Sequence, residues 1–149
     1  VLNSGAILTG IATLIAATAF PSALRRHHTH PVLAWLTTIA LLSMGAGAIW
    51  AGTFHLPDPR HNPGALGAGA FALPLLFALC VVKRPRAAAL KAYLFANLAL
   101  FLLMIPIMAG LTGLPIHDYR GLLQRIAAAV LYVPVGVVAA SMLEASSPA

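Results

Sequence analysis

Acidic side chains are almost missing from this chain: Asp58, Asp118 and Glu144 are the only three among 149 residues. Charged residues of both signs make up 8%, whereas a water-soluble domain carries about a quarter. So little charge excludes an ordinary soluble fold. The 60% of hydrophobic residues excludes a disordered chain, which needs low hydrophobicity and high charge. A single cysteine, Cys80, rules out an internal disulfide, and no CxxC or Cys/His zinc spacing is present. Cys80 lies in an apolar run and reads as a small apolar residue. No histidine falls in the middle of a long apolar run, so haem held by two histidines within a bilayer is not expected. Acidic residues are missing from the same places, which argues against a proton pump or cation transporter. The GxSxG, HExxH, Walker A and GxGxxG patterns are absent.

What the chain has is hydrocarbon, with a mean hydropathy of +0.92. Five stretches carry no charged side chain: residues 1–24, 31–54, 63–82, 92–116 and 126–143. A hydrocarbon core of about 30 Å takes about 20 helical residues. The fifth stretch is short, and extends backward through Gly121, Leu122, Leu123 and Gln124. Arg125 then lies about one turn inside, from where it can snorkel to the interface. The runs are continuous rather than alternating, which excludes a β-barrel, and lipid offers an isolated strand no partners. The expected fold is all-α: one polytopic transmembrane helix bundle over residues 1–149, with spans at 2–24, 31–54, 64–82, 92–113 and 121–143. The connections are short, so consecutive helices are antiparallel neighbours. Pro74, Pro106 and Pro134 fall mid-span and bend three helices, as in some transporters and in many membrane helices without a transport role. Ala6 with Gly10, Ser43 with Gly47, Ala48 with Gly52 and Gly64 with Ala68 are small-residue pairs that mark close helix contacts.

The net charge is +6, from nine basic residues. They lie in the connections, with no basic stripe interleaved with aromatics, so lipid headgroups are the expected partner and nucleic acid is not. Arg25, Arg26, Lys83, Arg84, Arg86 and Lys91 fall at one end; Arg60, Arg120 and Arg125 fall at the other, beside Asp58 and Asp118. The positive-inside rule then puts loops 25–30 and 83–91 in the cytoplasm and loops 55–63 and 114–120 in the periplasm or outside, in a bacterial inner membrane. The N-terminus is outside in this arrangement, so a preceding helix, giving six spans, is expected.

His55, Asp58 and His61, spaced three apart, are imidazole and carboxylate ligands suited to zinc or another first-row metal, and His117 and Asp118 on the same side extend the set. Pro57, Pro59 and Pro63 force an extended path, which leaves a rigid loop facing water and headgroups as the alternative. Arg125 needs a carboxylate or a route to water; Asp118, seven residues earlier, shares its face on a continuous helix. The tract His27-His28-Thr29-His30 reads as a metal tract or a solvated turn, and Met104 with Met108 as a Cu(I) pair or packing filler. Asn97, Thr9, Thr13, Thr37 and Thr38 are expected to bond across helices or back to i−4 carbonyls.

Three stretches carry a resemblance: Asn3-Ser4-Gly5-Ala6-Ile7-Leu8-Thr9-Gly10, Gly52-Thr53-Phe54 followed by Asp58 and His61-Asn62, and Gly121-Leu122-Leu123-Gln124-Arg125. Together they resemble a family of uncharacterised bacterial six-span integral membrane proteins, domain of unknown function nine-nine-eight, over nearly the whole chain apart from a first helix. The resemblance implies that His61, Asn62, Gln124 and Arg125 lie in a polar outer cluster, and implies no catalytic role. The leading functional expectation is a non-enzymatic accessory or scaffold subunit of a larger inner-membrane complex, packed against other membrane subunits. The alternatives are a metal-assisted enzyme acting on lipid at the outer face and a small-solute or lipid-binding carrier.

Overall fold

The computed structural model describes residues 2–54, 57–61, 64–113 and 116–144, with only the backbone of residues 2, 116–118, 120 and 144. Helix α1 covers Leu2–Arg26, α2 Pro31–Thr53, α3 Leu73–Val81, α4 Ala88–Met108 and α5 Ile116–Glu144. A short 3-10 turn, Pro59–His61, and a 3-10 helix, Gly64–Ala72, lead into α3. No strand occurs among the described residues. Five units are long and apolar enough to cross a membrane: Asn3–Arg26, Pro31–Thr53, Pro59–Val81, Ala88–Met108 and Gly121–Leu143. The all-α multi-pass fold expected from the apolar runs is therefore the fold that forms. Its physical reason is that a helix satisfies its own backbone where no water can.

Three span boundaries differ from the expectation by four residues or more, one of them the end of α4, which stops at Met108 rather than at 113. Residues 117–120, read as a loop, are the first turns of α5, and Lys91 lies inside the first turn of α4 rather than in the connection before it. Polar residues placed the other two boundaries in the sequence, but a helix continues into the interface as readily as it crosses the core.

Chain reversal between α1 and α2 uses a Schellman motif. The His28 N–H donates to the Arg25 carbonyl (3.1 Å), and the Thr29 N–H to that of Leu24 (3.2 Å). His28 takes the left-handed backbone, φ 64°, where glycine is usual. His30 then caps α2, its Nδ1 accepting from the Val32 N–H at 3.3 Å, and Pro31 opens the helix where no amide bond is lost. The close contact of α1 and α2 runs over glycines. A methyl on Gly10 would sit 2.6 Å from the Gly45 carbonyl oxygen, and one on Gly52 would sit 2.8 Å from that of Asn3. Gly10 and Gly52 thus mark the contact face, as their small-residue pairs suggested.

The third span is not a plain α-helix. Residues 64–72 are wound as 3-10 helix before α3 begins. Ser43 on α2 reaches into this segment. Its hydroxyl donates to the Leu66 carbonyl (2.6 Å) and accepts from the Gly69 N–H (2.9 Å), bridging two groups that a 3-10 turn would otherwise pair. Nine residues at the 3-10 rise extend about 18 Å, against about 14 Å as α-helix. With the nine residues of α3, the unit reaches the about 30 Å hydrocarbon thickness using few residues.

Packing is uneven along the bundle. Phe20, Ala34, Leu41, Leu73, Phe77, Leu94 and Val138 form a buried core. On α5, Val130, Pro134, Val138 and Met142 are buried at four-residue spacing, whereas Leu122, Gln124, Arg125 and Ile126 near its start are exposed. The end that carries the loop of residues 27–30 is the packed one. Toward the opposite end, α5 stands off and a crevice of about 540 Å³ opens between Ala6, Thr9, Ala48, Ala51, Ala129 and Tyr132.

Candidate functional site

The last turn of α2 and the Pro59–His61 turn build a polar cluster at the end opposite the 27–30 loop. Trp50 lies in the last turn of α2 and Phe54 caps its end four residues on, so their rings meet, with centroids 4.6 Å apart. The Trp50 indole N–H donates to the Arg60 carbonyl at 2.7 Å, which fixes the turn against the helix. Asp58 begins that turn. Its Oδ1 accepts from the Arg60 backbone N–H (2.8 Å) and from Nε (3.1 Å), and Oδ2 accepts from Nη2 (2.8 Å). The guanidinium also lies over the Phe54 ring, 4.3 Å from its centroid. The Arg60 side chain is 65% exposed, so the ion pair orders the turn more than it stabilises the fold.

His61 closes the cluster: its Nδ1 lies 2.6 Å from the Phe54 carbonyl oxygen. A carbonyl only accepts, so Nδ1 carries the proton, and in the neutral ring Nε2 keeps its lone pair. The arrangement locks the imidazole and can present one nitrogen base to a proton or a cation.

Of the expected metal ligands, Asp58 and His61 therefore meet in one turn, each already held by another group. His55 lies outside the described residues, as do the side chains of His117 and Asp118. Among the described residues no three His, Cys, Asp or Glu side chains gather at one point. Of the expected polar outer cluster, Asn62 also lies outside the described residues, and Gln124 and Arg125 are exposed on α5. No hydrogen bond or ion pair among the described residues joins either of them to His61. Asp118 and Arg125 do stand on one continuous helix.

The 27–30 tract forms the turn between two helices. His28 is exposed and His30 caps α2, while Thr29 is buried and donates to the Cys80 carbonyl at 3.3 Å. Burial, then the neighbouring Arg84 and His28 charges, lower the His27 pKa, and a hydrogen bond with the Met142 backbone acts the other way. Met104 is buried and Met108 is exposed, so the pair does not share one environment. Four of the five polar groups named in the spans bond as expected, and Thr9 contributes its backbone carbonyl. The Asn97 amide crosses from α4 to the Val130 carbonyl on α5 (3.1 Å), and Thr13, Thr37 and Thr38 donate to the carbonyls of Thr9, Leu33 and Ala34. Cys80 packs in the core, its sulfur 3.5 Å from the Thr37 hydroxyl.

Sequence reasoning missed Arg60 as the partner of Asp58. The signal was present: Asp-Pro-Arg places an acid and a base around a residue with fixed φ, close enough to pair across one turn. It also missed Ser43 and Ser141, whose partners are distant in sequence. Compared with family models, curated proteins and solved structures, the chain finds no match.

Proposed function

We propose that the chain is a non-enzymatic accessory or scaffold subunit of a bacterial inner-membrane assembly, working by helix packing, with loops 25–30 and 83–91 on the cytoplasmic face. The supporting observation is that the Trp50–His61 cluster is tied to itself. Both Asp58 oxygens bond Arg60, and the His61 Nδ1–H bonds Phe54. A catalytic zinc centre instead turns three ligands toward one open position. The weak attachment of the last two helices fits the same reading, since 17% of the α4 spanning window and 22% of that of α5 are buried in this chain. Their apolar outer faces suit neighbouring membrane helices. Membership of the six-span family suggested by the Asn3–Gly10, Gly52–Asn62 and Gly121–Arg125 stretches belongs to this proposal, as does a supporting place for Gln124 and Arg125 in its outer cluster.

A second reading, a lipid-binding carrier, is favoured by the 540 Å³ crevice beside Tyr132. Native mass spectrometry of the chain extracted into lipid nanodiscs from its own membrane separates these readings. The subunit reading predicts a fixed stoichiometry with at least one other integral membrane chain. A chain that runs alone contradicts it, and a retained lipid on that lone chain favours the carrier. One tightly held metal ion per chain, lost on replacing Asp58 and His61, would instead support a metal enzyme.

A further inference from the structure

At the packed end of the bundle, a cleft of about 550 Å³ opens between the α1–α2 turn, the connection from α3 to α4 and the last turns of α5. Arg26, His27, His28, Arg84 and Arg86 line it, and no carboxylate is among its described lining residues. The acidic residue nearest in sequence is Glu144, three residues beyond Ser141, and its side chain is outside the described residues. Three guanidinium groups around one cavity repel one another unless water or an anion stands between them.

Among the described residues, Arg84 is fixed in place by neutral acceptors. Its Nη1 donates to the Ser141 hydroxyl (3.0 Å) and its Nη2 to the Ser141 carbonyl (2.7 Å), both uncharged acceptors. Two non-glycine residues of the cleft, His28 and Arg86, hold the left-handed backbone, with φ of 64° and 53°. The His28 conformation serves the turn after α1. That of Arg86 ends no helix, and it keeps a third guanidinium on the cleft wall. Guanidinium forks match phosphate oxygens, each offering two parallel N–H donors. The cleft lies where α1 and α5 end and α4 begins, at the ends of three apolar spans, and Leu90 and Pro85 give it an apolar side.

We propose that this cleft is a binding site for a phosphate-bearing anion, held between Arg26, Arg84 and Arg86. Two sources carry that chemistry: the headgroup of an anionic phospholipid and a free phosphate. The site is independent of the subunit reading, since the Trp50–His61 cluster does not contribute to it and α4 lends its described lining only Ala89 and Leu90 of its first turn. His27 reports on it, because an anion in the cleft offsets the Arg84 and His28 charges that now disfavour its protonated form.

The test uses the full chain with isotope-labelled histidine in phosphatidylcholine nanodiscs, following the His27 titration by NMR. Inorganic phosphate is added against chloride at equal ionic strength, and parallel discs contain phosphatidylglycerol. A saturable rise of the His27 pKa is expected. Saturation by inorganic phosphate in phosphatidylcholine identifies a free-phosphate site; a rise confined to phosphatidylglycerol discs identifies a headgroup site. The pair Arg26→Gln with Arg86→Gly, the second suited to the left-handed backbone, weakens the response about tenfold or more. Arg26→Gln alone gives a smaller loss should the pair fold poorly, and Arg60→Gln at the opposite end changes nothing. A response that chloride matches, that never saturates, or that Arg60→Gln reduces as much as Arg26→Gln overturns the proposal.

Discussion

Asn97 answers a vacancy that a proline creates. Pro134 has no N–H, so the Val130 carbonyl four residues earlier lacks its helical donor, and the Asn97 amide supplies one from α4. Removing that amide by Asn97→Leu is expected to destabilise the bundle by about 1 kcal/mol, the scale of interhelical hydrogen bonds in membranes. In a Pro134→Ala background, where residue 134 can donate again, the same change should cost clearly less. Reversible unfolding in mixed micelles measures both, and equal costs in the two backgrounds would contradict the assignment. Asn97 and the threonines were legible in the sequence because a polar side chain in hydrocarbon must find a partner. Which partner Asn97 would find was not, since that depends on how α4 and α5 align.

His27 gives a pH dependence with a definite sign. Burial first, then Arg84 and His28, put its folded pKa below the ordinary 6.5, and Arg26 and Arg86 share the same cleft. The folded state therefore binds fewer protons than the unfolded one just below pH 6.5. The stability tied to neutral His27 is present above that pH and is lost as pH falls through the folded value. In zwitterionic nanodiscs without phosphate, melting temperature should fall from pH 7 to pH 5, and His27→Gln should flatten that dependence. An unchanged slope in the variant would place the pH dependence elsewhere.

Among the elements, the third span departs most from its sequence. Residues 63–82 read as one uninterrupted apolar run, and length alone does not distinguish α from 3-10 winding. Gly64, Gly67 and Gly69 weaken helical preference there, but the decisive contact comes from Ser43, more than twenty residues away. Close approach is part of this element: a methyl on Gly69 would lie 2.6 Å from the Ser43 Cβ and 3.1 Å from the Ala40 Cα. Gly69→Ala is expected to destabilise by about 1–3 kcal/mol, as overpacking does. In a Ser43→Gly background, itself destabilised by loss of the hydroxyl bridge to Leu66 and Gly69, the first clash is gone and Gly69→Ala should cost clearly less, which a double-mutant cycle of thermal unfolding in detergent would show. A neutral Gly69→Ala would mean that the two segments pack less closely than described here. Helix α5 departs in the other direction. Its first turns contain His117, Asp118 and Arg120, whose polarity suggested a loop, although the helical ladder continues through them.

At the scale of the whole molecule, the scarcity of charge determined the architecture and its few cations mark its two ends. Arg25, Arg26, Lys83, Arg84, Arg86 and Lys91 lie at the end where α1 stops and α4 starts, and Asp58 and Arg60 lie at the other. Composition and run length were enough for the five spans because lipid leaves the backbone few alternatives. The sites were harder to read. The Asp58–His61 turn was visible as a cluster, but its internal pairing with Arg60 and Phe54 was not, and the arginine cleft combines three segments that only folding brings together.

Five apolar helices fit a bundle that crosses the bilayer, and the proposed orientation puts its arginine-rich end in the cytoplasm. The most direct test is labelling of single cysteines in sealed cells, using an impermeant thiol reagent in a Cys80→Ser background. Pro57→Cys should react from outside, Arg86→Cys should react only after the membrane is opened, and Leu41→Cys in the core should stay unlabelled in both. Reaction of Arg86→Cys in intact cells, or of Pro57→Cys and Arg86→Cys from the same side, would contradict it.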